Sequence, residues 1–275
     1  MSILQSIVLG FVQGLTEFLP VSSSGHLVFI PKLFGWQDQG LIFDVIVHIG
    51  TLAAVVVFFR KKIWKMFLSL GKYFGSNSNA YLDEESIRHR SLFFLILLSI
   101  VPAGVAGFWL KDWLGQNIRE VWIISASLIF WGIILIFASL YAEKITPEKN
   151  KKLNWKNALF ISFAQVIALV PGTSRSGITM TAGLFSKLTK KDAAEFSFLM
   201  SIPIIALAGL LEIVELYKVG LGDLGLSIYI SGFLASVVSG FFAIWLLMKI
   251  IQKWSLALFG VYRIVVGVLI LIFLV

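Results

Sequence analysis

Long hydrophobic runs alternate with short polar segments along the chain. A hydrocarbon core of ~30 Å takes about 20 helical residues to cross. Six runs come close to that length or exceed it: 41–60, 92–110, 121–142, 193–216, 227–248 and 256–275. The pattern predicts an all-α polytopic membrane protein with six full transmembrane helices.

Two further hydrophobic regions, 2–35 and 155–186, are interrupted near their middles. The interruptions are rich in Pro, Gly and Ser and read "FLPVSSSG" at 18–25 and "LVPGTSRSG" at 169–177. The flanking pieces, about 10 to 17 residues each, are too short to cross a membrane alone. Broken backbone at membrane depth is tolerated only where protein or a watery cavity satisfies its polar groups. Both regions therefore predict re-entrant helix-loop-helix hairpins.

The two interrupted regions also resemble each other. "FVQGLTEFLPVSSSG" (11–25) and "FAQVIALVPGTSRSG" (163–177) both start Phe-x-Gln and end Ser-x-Ser-Gly, and three hydrophobic runs follow each. An odd number of crossings inverts the second half relative to the first. We therefore predict a single membrane domain, 1–275, made of two inverted-topology repeats, 1–142 and 155–275.

The composition agrees with a membrane protein. Hydrophobic residues make up 58% of the 275 positions and charged residues only 14%, whereas soluble domains carry about a quarter charged residues. Cysteine is absent, which excludes disulfides, thiolate nucleophiles and cysteine-ligated metals.

The net charge of +8 alone would suggest a nucleic-acid partner, but the positions of the basic residues argue against one. Of the 23 lysines and arginines, 17 lie in short connections on one predicted side of the membrane: 60–91, 143–156, 186–192 and 249–255. The positive-inside rule places that side in the cytoplasm and both termini outside.

Ionisable groups within the interrupted regions are the first candidates for function. Such groups are costly at membrane depth and mark functional sites by default. Glu17 lies one turn after Gln13 on the same helix face, His26 follows the serine run, and Arg175 lies in the second loop. If the two loops face each other, Glu17, His26 and Arg175 converge.

The residue types of this set favour phosphate chemistry. A guanidinium matches phosphate oxygens, and the free N–H groups where "PGTSRSG" enters a helix suit an anion. Glutamate and histidine can supply proton transfer, a nucleophile or a ligand for a divalent ion. Neither loop is a Walker A sequence or a G-x-S-x-G elbow. The residues alone therefore predict an intramembrane anion site with acid/base groups.

For other polar residues in the hydrophobic runs, the sequence allows more than one role. Asp44 and His48 are spaced i, i+4 and form either a supporting pair for the site or an internally satisfied pair. Glu195 lies near the cytoplasmic end of its run and can simply face the interface. Arg263, deep in the last run, needs a partner that the sequence does not identify.

The chain closely resembles the bacterial undecaprenyl-diphosphatase family, also called bacitracin-resistance proteins. The motifs are "QGLTEFLPVSSSGH" at 13–26 and "PGTSRSG" at 171–177, with "FDVIVHIGT" and "AAEFSFLMSIP" in support. The resemblance implies a phosphatase of the bacterial inner membrane that converts undecaprenyl diphosphate to undecaprenyl phosphate. That reaction recycles the lipid carrier for peptidoglycan and other envelope polymers and confers bacitracin resistance. It further implies Mg²⁺ or another divalent cation such as Ca²⁺, and an active site that opens to the outer face.

The resemblance also implies roles for individual residues. Glu17 matches the glutamate of the first motif, as catalytic group and metal ligand, while Ser23 and His26 match the nucleophile and proton-transfer positions. The phosphate-binding and charge-stabilising positions are Ser174, Arg175 and Thr179, and we add the neighbouring Gln13, Ser22, Ser24 and Ser176. Some members carry glutamate where this chain has Gln13. Glutamine can hydrogen-bond a phosphate but cannot act as a base, so any carboxylate role falls on Glu17.

Several alternatives stay open at the level of sequence. The attacking group is Ser23, His26 or a water molecule, and the oligomeric state, a homodimer included, is undetermined. Inverted repeats with broken helices are also typical of secondary transporters. The alternative function is therefore a transporter or flippase for a prenyl phosphate or another anion.

Overall fold

The computed structural model describes residues 1–74, 83–117, 120–219 and 224–274. Over these residues the chain is helical, with one 3₁₀ turn, Pro147–Lys149, and without strands. The ten α-helices are α1 (Ile3–Phe18), α2 (Ser23–Leu33), α3 (Gly40–Phe74), α4 (Glu84–Asn117), α5 (Val121–Glu143), α6 (Trp155–Ile167), α7 (Arg175–Phe185), α8 (Lys190–Val219), α9 (Leu226–Ile250) and α10 (Ala257–Leu274).

The predicted number of membrane helices is confirmed. Six helices of the described chain, α3, α4, α5, α8, α9 and α10, are long and apolar enough to cross a membrane. Helix α3 continues beyond the hydrophobic run at 41–60 because no proline interrupts the basic stretch that follows. Large apolar side chains remain exposed on the outer faces, as on Trp109 and Phe108. This exposure suits contact with lipid tails, which are as apolar as leucine.

The two predicted interruptions are also present. Helix α1 ends at Phe18 and α2 begins at Ser23, while α6 ends at Ile167 and α7 begins at Arg175. Prolines at 20 and 171 follow the first helix of each pair, and the residue before a proline disfavours helical geometry. Each interrupted region is thus two short helices joined by a polar loop.

Small residues bring α1 and α9 into close backbone contact. A Cβ added to Gly10 would lie 2.3 Å from the carbonyl oxygen of Gly232, and one added to Gly14 would lie 2.6 Å from the backbone nitrogen of Gly240. The Ser6 hydroxyl also donates to the carbonyl of Ile228 at 2.5 Å. Small residues allow such approach in membrane helices. The contact buries the face of α1 that carries Gln13 and Glu17.

Helices α5 and α10 form a second close pair. A Cβ on Gly132 would lie 2.9 Å from the Gly260 carbonyl oxygen, and one on Gly260 would lie 2.6 Å from the Gly132 carbonyl oxygen. Phe18 at the end of α1 packs edge-on against Phe198 of α8, with ring centroids 5.4 Å apart, within a large apolar cluster. The end of α1 is thereby held against α8, a helix of the second half of the chain.

Gly14→Ala should destabilise the protein even though alanine favours helix. The added methyl group would meet the Ser239 hydroxyl and the α9 backbone, and such overpacking costs about 1–3 kcal/mol. Gly71→Ala in α3 is the matched control, because nothing lies within 4 Å of a Cβ there. We expect the thermal unfolding temperature in detergent to fall for G14A and to hold or rise for G71A. Equal unfolding temperatures would contradict a tight α1–α9 contact.

Candidate active site

The loops that follow α1 and α6 have the same local geometry. Ser22 and Ser174 cap the following helices at positive φ, 75° and 68° respectively. Each hydroxyl accepts a hydrogen bond from the glycine three residues on, Gly25 at 3.4 Å and Gly177 at 3.1 Å. Each also lies 3.3 Å from the hydroxyl of the serine two residues on. The Ser-x-Ser-Gly similarity seen in the sequence therefore corresponds to the same type of turn in both loops.

The two loops touch each other through a buried ion pair. Arg175 Nη2 donates to Glu17 Oε1 at 2.8 Å, and Arg175 Nη1 donates to the carbonyl of Ser197 at 3.0 Å. The hydroxyl of Ser176 donates to the carbonyl of Leu19 at 3.0 Å. The convergence of Glu17 and Arg175 expected from the sequence is therefore present. Because both side chains are largely buried, each charge depends on the other for stabilisation.

The second carboxylate oxygen of Glu17 accepts hydrogen bonds from two neutral donors. Ser23 donates its hydroxyl to Glu17 Oε2 at 2.7 Å, and Gln13 donates Nε2 to the same oxygen at 3.1 Å. The Gln13 Oε1 atom is buried and has no hydrogen-bond partner among the described residues. The serine hydroxyl is thus placed against a carboxylate that can accept its proton.

A cavity of about 170 Å³ opens beside this group. Its wall consists of Glu17, Ser22, Ser23, Ser24, His48, Ala168, Ser174 and Arg175. Hydroxyls from both loops, one guanidinium and one carboxylate thus face a single space. Such a set can bind an anion and move a proton next to it.

Three of the residues proposed to bind phosphate lie behind this wall. Thr179 is fully buried and hydrogen-bonds the Arg175 carbonyl and the Ser197 hydroxyl, at 2.8 and 2.7 Å. Ser176 is engaged with Leu19, and Gln13 with Glu17. In this arrangement their contacts position the residues that line the cavity.

His26 is also absent from the cavity wall. Its Nδ1 lies 2.7 Å from the Ser22 carbonyl oxygen, and its Nε2 lies 2.7 Å from the Tyr262 hydroxyl. The two rings are nearly parallel, with centroids 5.7 Å apart. Both ring nitrogens are therefore engaged, and the role of His26 in proton transfer stays a prediction.

His48 lines the cavity in a position that the sequence did not establish. Its Nε2 lies 3.7 Å from Glu17 Oε2, and its Nδ1 lies 2.6 Å from the carbonyl oxygen of Asp44. The Asp44 carboxylate accepts a hydrogen bond from Gln39 at 2.8 Å. The i, i+4 spacing marked Asp44 and His48 as a pair, but the approach of His48 to Glu17 depends on how α3 packs on α1.

The partner of Arg263 is the backbone of the second loop. Its Nη2 donates to the carbonyls of Gly172 and Thr173, at 3.0 and 2.7 Å. The side chain is fully buried, and Nε and Nη1 lack hydrogen-bond partners within the described residues. A backbone carbonyl carries no sequence signal, so this contact could not be found from residue types. Arg263 thus supports the loop without lining the cavity.

Glu195 forms an ion pair with Lys62. Both line a second cavity of about 350 Å³, together with Arg88, Lys152 and Asp192. These residues belong to the end of the molecule that the sequence predicts to be cytoplasmic. Glu195 therefore takes no part in the Glu17 cavity.

The residues at the Glu17 cavity fit a divalent cation that shares ligands with a substrate. Among the described residues no three His, Asp or Glu side chains cluster as a metal site. Mg²⁺, however, commonly binds through one or two carboxylates together with substrate phosphates and water. Glu17 supplies the carboxylate at the cavity wall, and Gln13 supports it from behind the wall through its hydrogen bond to Oε2.

Removing either member of the Glu17–Arg175 pair should destabilise the protein more than removing both. Loss of one partner leaves a buried charge uncompensated, which costs about 3–5 kcal/mol. We expect E17Q and R175Q each to lower the unfolding temperature in detergent, and the double variant to lower it by less than either single variant does. Additive losses would show that the two charges do not depend on each other.

Comparison with known proteins shows the family of this chain. Residues 6–269 match the family described as "Bacitracin resistance protein BacA". A relative from Pseudoalteromonas translucida (strain TAC 125), "Undecaprenyl-diphosphatase 1", is 42% identical over 100% of this chain and 99% of its own. Relatives from Thioalkalivibrio sulfidiphilus (strain HL-EbGR7), "Undecaprenyl-diphosphatase", and Stutzerimonas stutzeri (strain A1501), "Undecaprenyl-diphosphatase 2", are each 40% identical, over 98% and 99% of this chain and 98% of each relative. The chain belongs to the bacitracin-resistance protein family.

Proposed function

We propose that the protein is an integral membrane phosphatase that hydrolyses undecaprenyl diphosphate to undecaprenyl phosphate and inorganic phosphate. One observation carries the proposal: the Ser23 hydroxyl lies 2.7 Å from a Glu17 carboxylate that is paired with Arg175 at the wall of one cavity. Family membership and the names of the full-length relatives support the substrate. The reaction recycles the lipid carrier for envelope polymer synthesis and confers bacitracin resistance.

The terminal phosphate binds, in this proposal, against Arg175 and the serine hydroxyls of the two loops. Arg175 offers a cation beside the cavity, and the loops precede the N-termini of α2 and α7. Helix N-termini and guanidinium groups both stabilise phosphate charge, including the charge that develops during phosphoryl transfer. The prenyl chain remains in the lipid between helices.

Ser23 is the nucleophile that the geometry favours over His26 or a direct attack by water. Ser23 Oγ forms a bond to the terminal phosphorus while the bond from phosphorus to the bridging oxygen breaks, so that undecaprenyl phosphate leaves with that oxygen. Glu17 Oε2 accepts the serine proton across the 2.7 Å hydrogen bond. Water then hydrolyses the phosphoserine, releasing inorganic phosphate and restoring Ser23.

A divalent cation, Mg²⁺ or Ca²⁺, completes the proposed site. Glu17 would hold it together with substrate phosphate oxygens. When bound, the cation neutralises phosphate charge that Arg175 alone does not balance.

We also propose that the fold contains two inverted repeats with re-entrant hairpins. The interrupted helices begin units of five helices each, α1–α5 and α6–α10. The helix contacts support this relation, because corresponding helices of the two units make corresponding contacts. Helix α1 packs on α9 as α6 packs on α4, and the equivalent helices α5 and α10, like α3 and α8, pack on each other. The repeated Ser-x-Ser-Gly turn supports the same relation.

The repeat boundaries 1–142 and 155–275 follow from this assignment. The positions of the basic residues favour both termini at the outer face of the bacterial inner membrane. The family resemblance favours a cavity that opens to the same face. Assembly as a homodimer stays a prediction.

Ser23→Ala should abolish most phosphate release by purified protein in detergent micelles. Loss of the attacking group and its proton transfer is expected to lower kcat about 10²-fold or more. Ser69→Ala is the matched control, since this buried serine bonds only its own helix, through the Met66 carbonyl, among its described contacts. Radiolabelled undecaprenyl diphosphate should leave an acid-stable phosphoenzyme in wild type and none in S23A.

Micelles carry no gradient and no sidedness, so this assay separates hydrolysis from transport. Wild-type protein that binds the lipid without releasing phosphate would contradict the phosphatase and favour the flippase. An acid-labile phosphoenzyme would instead assign the attack to a histidine.

Chelation should stop the reaction, and added cation should restore it. A diphosphate carries more negative charge than Arg175 neutralises, so we expect no phosphate release after dialysis against EDTA and recovery with Mg²⁺ or Ca²⁺. Size-exclusion chromatography of the chelated protein controls for loss of fold. Full activity of the cation-free protein would contradict the proposed metal role of Glu17.

A further inference from the structure

The second cavity, of about 350 Å³, lies apart from the Glu17 cavity. His48 lines the first cavity and Lys62 the second, and a rise of about 1.5 Å per helical residue places their backbones roughly 21 Å apart along α3. From Gly40, where α3 begins, Lys62 is about 33 Å distant, slightly more than the ~30 Å of a hydrocarbon core. The second cavity therefore lies at the depth of lipid head groups, on the side predicted to be cytoplasmic.

The charged side chains of this cavity come from four segments of the chain. They are Lys62 of α3, Arg88 of α4, Lys152 of the connection before α6, and Asp192 and Glu195 of α8. Glu195 pairs with Lys62, and Asp192 accepts a hydrogen bond from the Thr189 hydroxyl at 2.7 Å, at the start of α8. Both carboxylates of the wall are thus already engaged by donors of the protein itself.

Arg88 and Lys152 are the two cations of the wall that remain. Neither side chain makes a hydrogen bond or an ion pair with another described residue, and both are exposed. Two cations that face one space repel each other, and an anion between them offsets that repulsion. A guanidinium group and an ammonium group both suit phosphate oxygens. The polar part of the cavity therefore fits a phosphate group.

The rest of the wall is mainly apolar. Leu92 and Leu95 of α4, Leu153, and Phe196 of α8 line it. Leu95 and Phe196 are buried, and Leu92 and Leu153 pack against the same apolar cluster. A small hydrated anion gains nothing from such a surface, whereas an alkyl chain is stabilised by contact with it. Two free cations beside an apolar wall favour a phosphate that is carried by a lipid.

We propose that this cavity is a second anion site, which takes the phosphate group of an anionic membrane lipid. Arg88 and Lys152 bind the phosphate oxygens, and the first carbons of the lipid tail lie against Leu95 and Phe196. A lipid of the leaflet on this side carries its phosphate at the same depth. Inorganic phosphate offers the same charge without a tail and therefore binds more weakly. The site only binds its ligand, and it does not depend on the reaction at Glu17.

Replacing Arg88 and Lys152 together by glutamine tests the site. The probe is radiolabelled dihexanoyl phosphatidic acid, a short-chain lipid phosphate, added to the purified full-length protein in micelles of an uncharged detergent. We expect the Kd of the R88Q/K152Q variant to exceed that of wild type about tenfold or more, because two charge-assisted contacts with phosphate are lost. Any binding at the Glu17 cavity is common to both proteins and does not contribute to this difference.

Arg60→Gln with Lys61→Gln is the matched control. The R60Q/K61Q variant loses the same charge from exposed positions of α3 next to Lys62, but neither residue lines the cavity. Its Kd should stay close to the wild-type value. An unchanged Kd in R88Q/K152Q, or an equal rise in R60Q/K61Q, would overturn the proposal. If R88Q/K152Q does not elute as a single species, R88Q and K152Q are measured separately by the same criteria.

Competition with the labelled lipid distinguishes the sources of the phosphate. Inorganic phosphate and glycerol 3-phosphate should each compete only at concentrations about tenfold or more above that of the unlabelled lipid, because they lack the tail. Dihexanoylglycerol, which has the tails without the phosphate, should not compete. Equal competition by inorganic phosphate and the lipid would assign the site to free phosphate and overturn the role of the apolar wall. Competition by dihexanoylglycerol as strong as that of the lipid would refute an anion site.

Discussion

The buried ion pair between Glu17 and Arg175 is the contact on which the rest of the site depends. Each charge lies on a broken helical region that cannot cross a membrane alone, and each is stabilised by the region that carries the other. Once joined, the two loops present their serine hydroxyls to one cavity. The same ion pair thus stabilises the charged side chains of both broken helical regions in an apolar surrounding, and a polar cavity lies beside it.

The packing of the long helices keeps this pair in place. In lipid the helices gain little from the hydrophobic effect against one another, so close contact between backbones has a larger part. Glycines between α1 and α9 bring the Glu17 face inward, and Arg263 on α10 holds the carbonyls of the second loop. Both ends of the ion pair are therefore supported by helices from the second half of the chain.

Much of this arrangement could be predicted from the sequence, because its signals are local. Hydrophobic runs of sufficient length predicted six helices, and prolines next to serine-rich stretches predicted both interruptions. Glu17 and Arg175 were identified because charges in such stretches are costly. Their meeting followed from the similarity of the two loops.

Other features depend on how the helices pack against one another, which cannot be inferred from a single sequence. His26 adjoins the serine run in the chain, yet its ring contacts Tyr262, while His48 reaches the cavity from a different helix. Arg263 binds carbonyl oxygens, which every residue possesses. The sequence therefore identified neither the Tyr262 contact of His26 nor the partner of Arg263.

The positive φ angles of Ser22 and Ser174 have a consequence for how the site meets its ligand. A residue other than glycine held in such a conformation costs about 1–3 kcal/mol and persists only where its surroundings enforce it. Glycine would relieve the strain but lose the hydroxyl that caps the helix, and alanine would keep the strain without the cap. Serine retains both the turn and the cap. At the proposed phosphate site the loops are therefore held in shape by their own hydrogen bonds, and little conformational entropy would be lost on binding.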